Sequence, residues 1–168
     1  ARVRRTVHVH RPEPLLCLAR PERDSAGSDH LAAVSKVFAA RLAGLVVLGP
    51  DGESIGRVRD VVLTIRMGRQ QPRVIGLVVE LPTRRRIFVP MLRVTAIEPG
   101  AVTLTTGNVS LRRFNQRPTE ILALAQVLDS KVRVDDPPEL PELAGVDAVV
   151  VDLGIELTRT RDWLVARV

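Results

Sequence analysis

The side chains with the most chemical potential fall into three groups. His8 and His10, two residues apart, project to one side of an extended segment, with Cys17 and His30 nearby in sequence. Imidazole and thiolate are zinc ligands, yet no pair here has a structural-zinc spacing and no tight turn gathers them, so no metal site is expected. Asp135, Asp136, Glu139 and Glu142 place four carboxylates within eight residues. Such oxygens attract Mg²⁺, but a hard cation needs them to converge on a fixed frame, and this proline-broken stretch reads as a solvated acidic loop. The sharpest feature is Arg84-Arg85-Arg86, followed by Arg112, Arg113 and Arg117. Guanidinium forks suit phosphate and carboxylate alike, so these six define a contact patch for a phosphate or an acidic protein surface; the competing reading is a charged hairpin tip that keeps the chain soluble.

Catalysis finds no constellation. Residues 36–168 contain no histidine and no Gly-rich phosphate loop, and Cys17 has no ordered base in view. Asp60 and Asp152 recur at matching positions, but one carboxylate in each place makes no acid–base pair. Both are expected to accept backbone hydrogen bonds at a strand bend. No catalytic residue and no cofactor is predicted, and the chain is read as a non-enzyme.

The composition sets the frame that must position these groups. Of 168 residues, 45% are hydrophobic and 26% charged, a globular balance. Aromatics make up only 2%, so the core is Val, Leu, Ile and Ala, and base stacking on exposed rings is disfavoured. A single cysteine excludes a disulfide framework. No apolar run approaches the roughly 18 residues of a membrane helix and none reads as a signal peptide, so a cytoplasmic protein is expected. Net charge is +2 over residues 1–35, +9 over 36–117 and −5 over 118–168, a change of sign that marks a boundary between units. Only Lys36 and Lys131 among the 25 cations are lysines, which a GC-rich genome explains.

Pro12, Pro14 and Pro21 interrupt every short apolar run of residues 1–33, which read as a disordered, dispensable tail or a misassigned start. From Lys36 the pattern is strands. Pro50-Asp51-Gly52 forms a hairpin turn between Leu45–Leu48 and a long strand Ser54–Arg66, with Gly56 marking a bulge or bend. Val74–Leu81, Arg86–Pro90, Leu92–Ile97 and Ala101–Thr105 follow, with Gly or Pro at nearly every corner. The fold class is all-β: a small barrel over 36–106, a connector with a short helix over 107–126 whose N-cap is Thr119, and a partial second β unit over 127–168. In that unit Lys131–Val134 is a strand, and Val146–Leu157 and Trp163–Val168 form a hairpin.

The two halves share a pattern. Asp60–Ile65 can be laid on Asp152–Leu157, and Val74–Val79 on Trp163–Val168, which suggests duplication with a second copy that stops early. The apolar end at Val165–Val168 would leave an open edge, so more protein is expected to follow.

Ala40–Val47 followed by Gly49-Pro50-Asp51-Gly52-Glu53-Ser54-Ile55-Gly56-Arg57-Val58-Arg59-Asp60-Val61-Val62 resembles the opening of a PRC-barrel domain, and Val74–Val79 with Phe88-Val89-Pro90 resembles its later strands. Residues 34–168 as a whole are similar to the start of actinobacterial proteins that join PRC-barrel sequence to the cytosolic helical and CBS domains of MgtE-type magnesium transporters. The resemblance implies a docking or regulatory module without shared catalytic residues, whose partner is another protein or further domains of its own chain, and it is the sole source of any link to magnesium. PRC barrels of a photosynthetic reaction-centre subunit and of a ribosome maturation factor are docking or assembly modules. The alternative is therefore an RNA- or ribosome-associated module that uses the basic barrel surface.

Overall fold

The computed structural model describes residues 36–65, 70–135 and 144–168. The expectations for residues 1–33, for the His8, His10, Cys17 and His30 group, and for Asp136, Glu139 and Glu142 lie outside them.

Two Val-rich strands form the spine. β3 (Ser54–Thr64) and β4 (Arg73–Glu80) pair antiparallel along most of their length. Their side chains alternate, and the inward set Val58, Val61, Leu77 and Val79 is fully buried. Each outer edge of this hairpin is divided between two neighbours. The start of β3 pairs with β2 (Val46–Leu48) and its end with β8 (Glu120–Leu122). The later half of β4 pairs with β5 (Arg86–Pro90), and its first residues pair with β12 (Trp163–Arg167). The β3–β4 hairpin thus serves two curled units at once.

The first unit continues from β5 through a 3-10 turn at Met91–Arg93 into β6 (Val94–Ile97) and β7 (Ala101–Leu104). β7 pairs antiparallel with β6 and parallel with β2. The second unit holds β8, a π-helical turn at Ala123–Val127, the two-stranded sheet of β9 (Lys131–Arg133) and β10 (Asp147–Val149), then β11 (Gly154–Leu157) and β12. At the chain's described start lie β1 (Lys36–Phe38) and a one-turn helix, α1 (Ala39–Leu42).

The pairings reveal the second unit as a copy of β1 to β4. β1 leads into α1 as β8 leads into the π-turn. Each strand pairs with the other copy: Phe38 opposite Gly154 and Val37 opposite Ile155, Leu122 opposite Val62 and Ile121 opposite Leu63. After each short helix comes a left-handed residue, Gly44 at φ 78° and Asp129 at φ 61°. The Gly44 N–H donates to the Val58 carbonyl at 2.8 Å, and the Asp129 N–H to the Val150 carbonyl at 2.8 Å. β2 with the start of β3 is then repeated as β9 with β10, and the end of β3 with β4 as β11 with β12. Leu63 faces Val74 as Ile155 faces Val165, each just after a break in register. Arg73 and Leu164, equivalent under this repeat, pair with each other and so sit on a local twofold axis.

This arrangement corrects three expectations. The repeat places Val74 on Val165 rather than on Trp163, because Val74 is the partner of Leu63 and Val165 that of the equivalent Ile155. Val146–Leu157 is not one strand; it breaks between β10 and β11 around Asp152. Thr119 caps no helix, since Glu120–Leu122 is drawn into β8 by pairing with β3, and the helical turn begins only at Ala123. At the end of the chain, β12 lies between β11 and β4 at Trp163 and Leu164, and the Val165 N–H donates to the Pro72 carbonyl at 2.9 Å.

Candidate docking face

The stretch after β7 runs back along β5. Phe114 N–H donates to the Arg86 carbonyl at 2.8 Å, Arg113 bridges to Ile87, and the Arg85 guanidinium donates to the Leu111 carbonyl at 3.2 Å. These bonds bring the Phe114 ring onto Phe88, the two stacked with centroids 6.2 Å apart and planes at 21°. Glycine 76 is what leaves room: a Cβ there would collide with the Phe88 ring and the Val89 carbonyl.

Phe88 and Phe114 form the floor of a solvent-open groove of about 750 Å³, bordered by Arg93, Arg112, Arg113 and Arg117. Arg93 is held by a hydrogen bond of 2.5 Å from Nη1 to the Asn108 carbonyl. Arg112 and Arg113 form no ion pair among the described residues. The one carboxylate on the lining is Glu120, which is buried and turned inward. Its Oε2 accepts the Arg117 N–H at 2.9 Å, while Arg117 Nε lies 3.8 Å from Oε1 and the rest of that side chain remains in solvent. The groove therefore presents guanidinium groups above an apolar floor.

The six arginines singled out in the sequence lie on two neighbouring segments joined by the bonds of Arg85, Arg86 and Ile87 to the connector. Arg112, Arg113 and Arg117 border the groove, whereas Arg84, Arg85 and Arg86 lie on the hairpin between β4 and β5. Arg85 is engaged with Leu111, and Arg86 Nε lies 3.5 Å from Glu80 Oε2. Arg59 reaches the same carboxylate at 2.7 Å. The hydrogen bond and charge of Arg59 hold the Glu80 carboxyl below its usual range, with a smaller contribution from Arg86, and the Arg59 guanidinium is raised in turn. Arg84 makes no ion pair among the described residues and stands at the tip with φ 61°. Sequence inspection passed over Arg93, Glu120 and the Phe88–Phe114 pair. Two of only three phenylalanines was the available hint, but their contact joins segments far apart in the chain.

The turn and bend residues also have defined places. Gly52, after Pro50 and Asp51, adopts φ 77° and its N–H donates to the Gly49 carbonyl at 3.1 Å. Gly56 lies beside the register shift between β2 and β3, and a Cβ there would strike the Glu80 carbonyl. Asp60 is buried; Oδ1 accepts N–H groups of Val61 at 2.7 Å and Leu124 at 2.8 Å, and Oδ2 that of Ala125 at 3.0 Å. Asp152 Oδ1 accepts those of Leu153 at 2.7 Å and Ala40 at 3.0 Å. Each aspartate thus grips the short helix of the other copy. Among the described residues no three His, Cys, Asp or Glu side chains gather as a metal-binding group, and no helix is long and apolar enough to cross a membrane.

A curled, strand-dominated fold with short hairpins is the build of a small β-barrel domain. Residues 35–110 match the family model of the PRC-barrel domain, and residues 121–168 match that of the Actinomycetes SH3 domain. The chain carries a PRC-barrel domain followed by an SH3-type unit, two modules of a kind that suggests protein interaction. No curated protein matches the chain.

Proposed function

We propose that this protein is a non-enzymatic docking module, and that its groove takes an acidic polypeptide segment. The observation that carries this is the combination of a stacked Phe88–Phe114 floor with Arg93, Arg112, Arg113 and Arg117 on the rim. A solvent-open groove suits an extended chain better than an enclosed small molecule. Carboxylates would find bidentate donors at the rim, while an apolar side chain covers the rings. Support for a magnesium-responsive, MgtE-like assembly comes from the resemblance of residues 34–168 alone, and the cytoplasmic placement from the sequence alone.

Fluorescence anisotropy with a labelled peptide of alternating Glu and Leu tests the proposal. Replacing Arg112, Arg113 and Arg117 together with Ser is expected to weaken binding by about tenfold or more, and raising salt from low to physiological strength to weaken the wild type as well. Equal binding by both proteins would overturn the groove assignment. The second reading is an RNA-associated module, which draws on the net charge of +9 over residues 36–117. A single-stranded RNA that displaces the peptide, with affinity falling steeply against log salt, would favour it.

A further inference from the structure

In the first copy, strand β2 is covered on both edges. β3 pairs with it on one side, and β7 lies parallel on the other, with Val46 opposite Ala101, Val47 opposite Val102 and Leu48 opposite Thr103. Among the described residues, its counterpart β9 pairs only with β10. Val134 turns both backbone groups toward that side: its N–H donates to the Val146 carbonyl at 2.9 Å and its carbonyl accepts the Gly145 N–H at 2.7 Å. Backbone groups alternate between the two edges of a strand, so Val132 faces β10 and Lys131 and Arg133 direct N–H and C=O outward. An edge of this kind templates a further strand.

We infer that the outer edge of β9 is a strand-docking site for a partner protein, which adds an extended segment parallel to β9 where the first copy has β7. The first copy also defines the side chains that fit. Val102, opposite Val47, is fully buried, so the residue opposite Val132 is apolar. The neighbours of Val46 and Leu48 instead meet the exposed Lys131 and Arg133, so those positions are acidic. A second copy of this chain does not fit, because edge-to-edge pairing of β9 with itself sets Lys131 and Arg133 against like charges. The site is distinct from the groove, and its occupant is recognised by backbone as well as charge.

The probe is a synthetic peptide with the Pro99–Thr106 sequence carrying Ala101→Glu and Thr103→Glu, titrated into the full chain. Amide exchange at Lys131 and Arg133 is expected to slow by about tenfold at saturation, and binding to survive the Arg112, Arg113 and Arg117 to Ser change that disables the groove. The double variant Lys131→Glu/Arg133→Glu is expected to lose this peptide and to bind one with Lys at the same two positions. Charge reversal sits on exposed side chains, and a circular dichroism spectrum matching the wild type verifies the fold. Unchanged exchange at Lys131 and Arg133, protection confined to groove residues, or concentration-dependent self-association that competes with the peptide would each overturn the inference.

Discussion

Asp60 and Asp152 decide how the two copies are joined. Asp60 satisfies three N–H donors from a buried position, two of them in the first turn after β8. Removing a buried acceptor leaves its donors unpaired at about 1–3 kcal/mol. Asp60→Ala is expected to lower unfolding free energy by about 3 kcal/mol and Asp60→Asn by about half of that, since the amide keeps one acceptor oxygen. Asp152 serves two donors and is only half-buried, so Asp152→Ala is expected to cost less than Asp60→Ala. Urea denaturation of the three variants checks the order, and an equal or larger loss at Asp152 would contradict it. That both aspartates accept backbone hydrogen bonds was legible from the recurrence of one acid before each alternating strand. Which backbone they grip was not, because Leu124 lies 64 residues from Asp60 and Ala40 lies 112 from Asp152.

Strands were the most legible elements, because Val and Ile alternate within Ser54–Thr64 and crowd Arg73–Glu80, and turn residues punctuate them. Short helical turns were not legible. Ala39–Leu42 is too brief to show a helical period, and pairing with β3 overrides the capping pattern at Thr119. The hairpins reuse one turn. Gly52, Arg84 and Arg161 each sit at positive φ (77°, 61° and 62°), with an N–H bonded back three residues to Gly49, Leu81 and Thr158. Only the first has the residue that this geometry favours. A non-glycine side chain in this region costs about 1 kcal/mol, so Arg84→Gly is expected to stabilise the protein by about 0.5–1 kcal/mol. Gly52→Val, which puts a β-branched residue at the same geometry, is expected to cost about 2 kcal/mol. Thermal unfolding of the pair checks both signs; destabilisation by Arg84→Gly would show that the Arg84 side chain has a structural contact.

At the scale of the molecule, the chain is two interlocked copies sharing one core. Ala39 and Leu42 of α1 pack in the same cluster as Ala123, Val127, Leu153 and Ile155 of the second copy. The repeat was legible in Asp60–Ile65 and Asp152–Leu157, whose registers agree with that alignment. The exchange of β1 and β8 between copies was not, since periodicity says which face of a strand is buried and nothing about which strand lies beside it. The groove was half legible: its arginines stood out by charge, but its floor depends on a contact between β5 and the following connector. The proposed docking face on one unit and the proposed strand-docking edge on the other make a single platform only if the copies hold each other in place. The direct measurement is urea unfolding followed by two probes, emission of Trp163, the sole tryptophan, in β12, and amide exchange protection in β5. Interlocking predicts one midpoint for both probes, moved together by Asp60→Ala. Two separate midpoints, with only the Trp163 transition moved by Asp60→Ala, would contradict it.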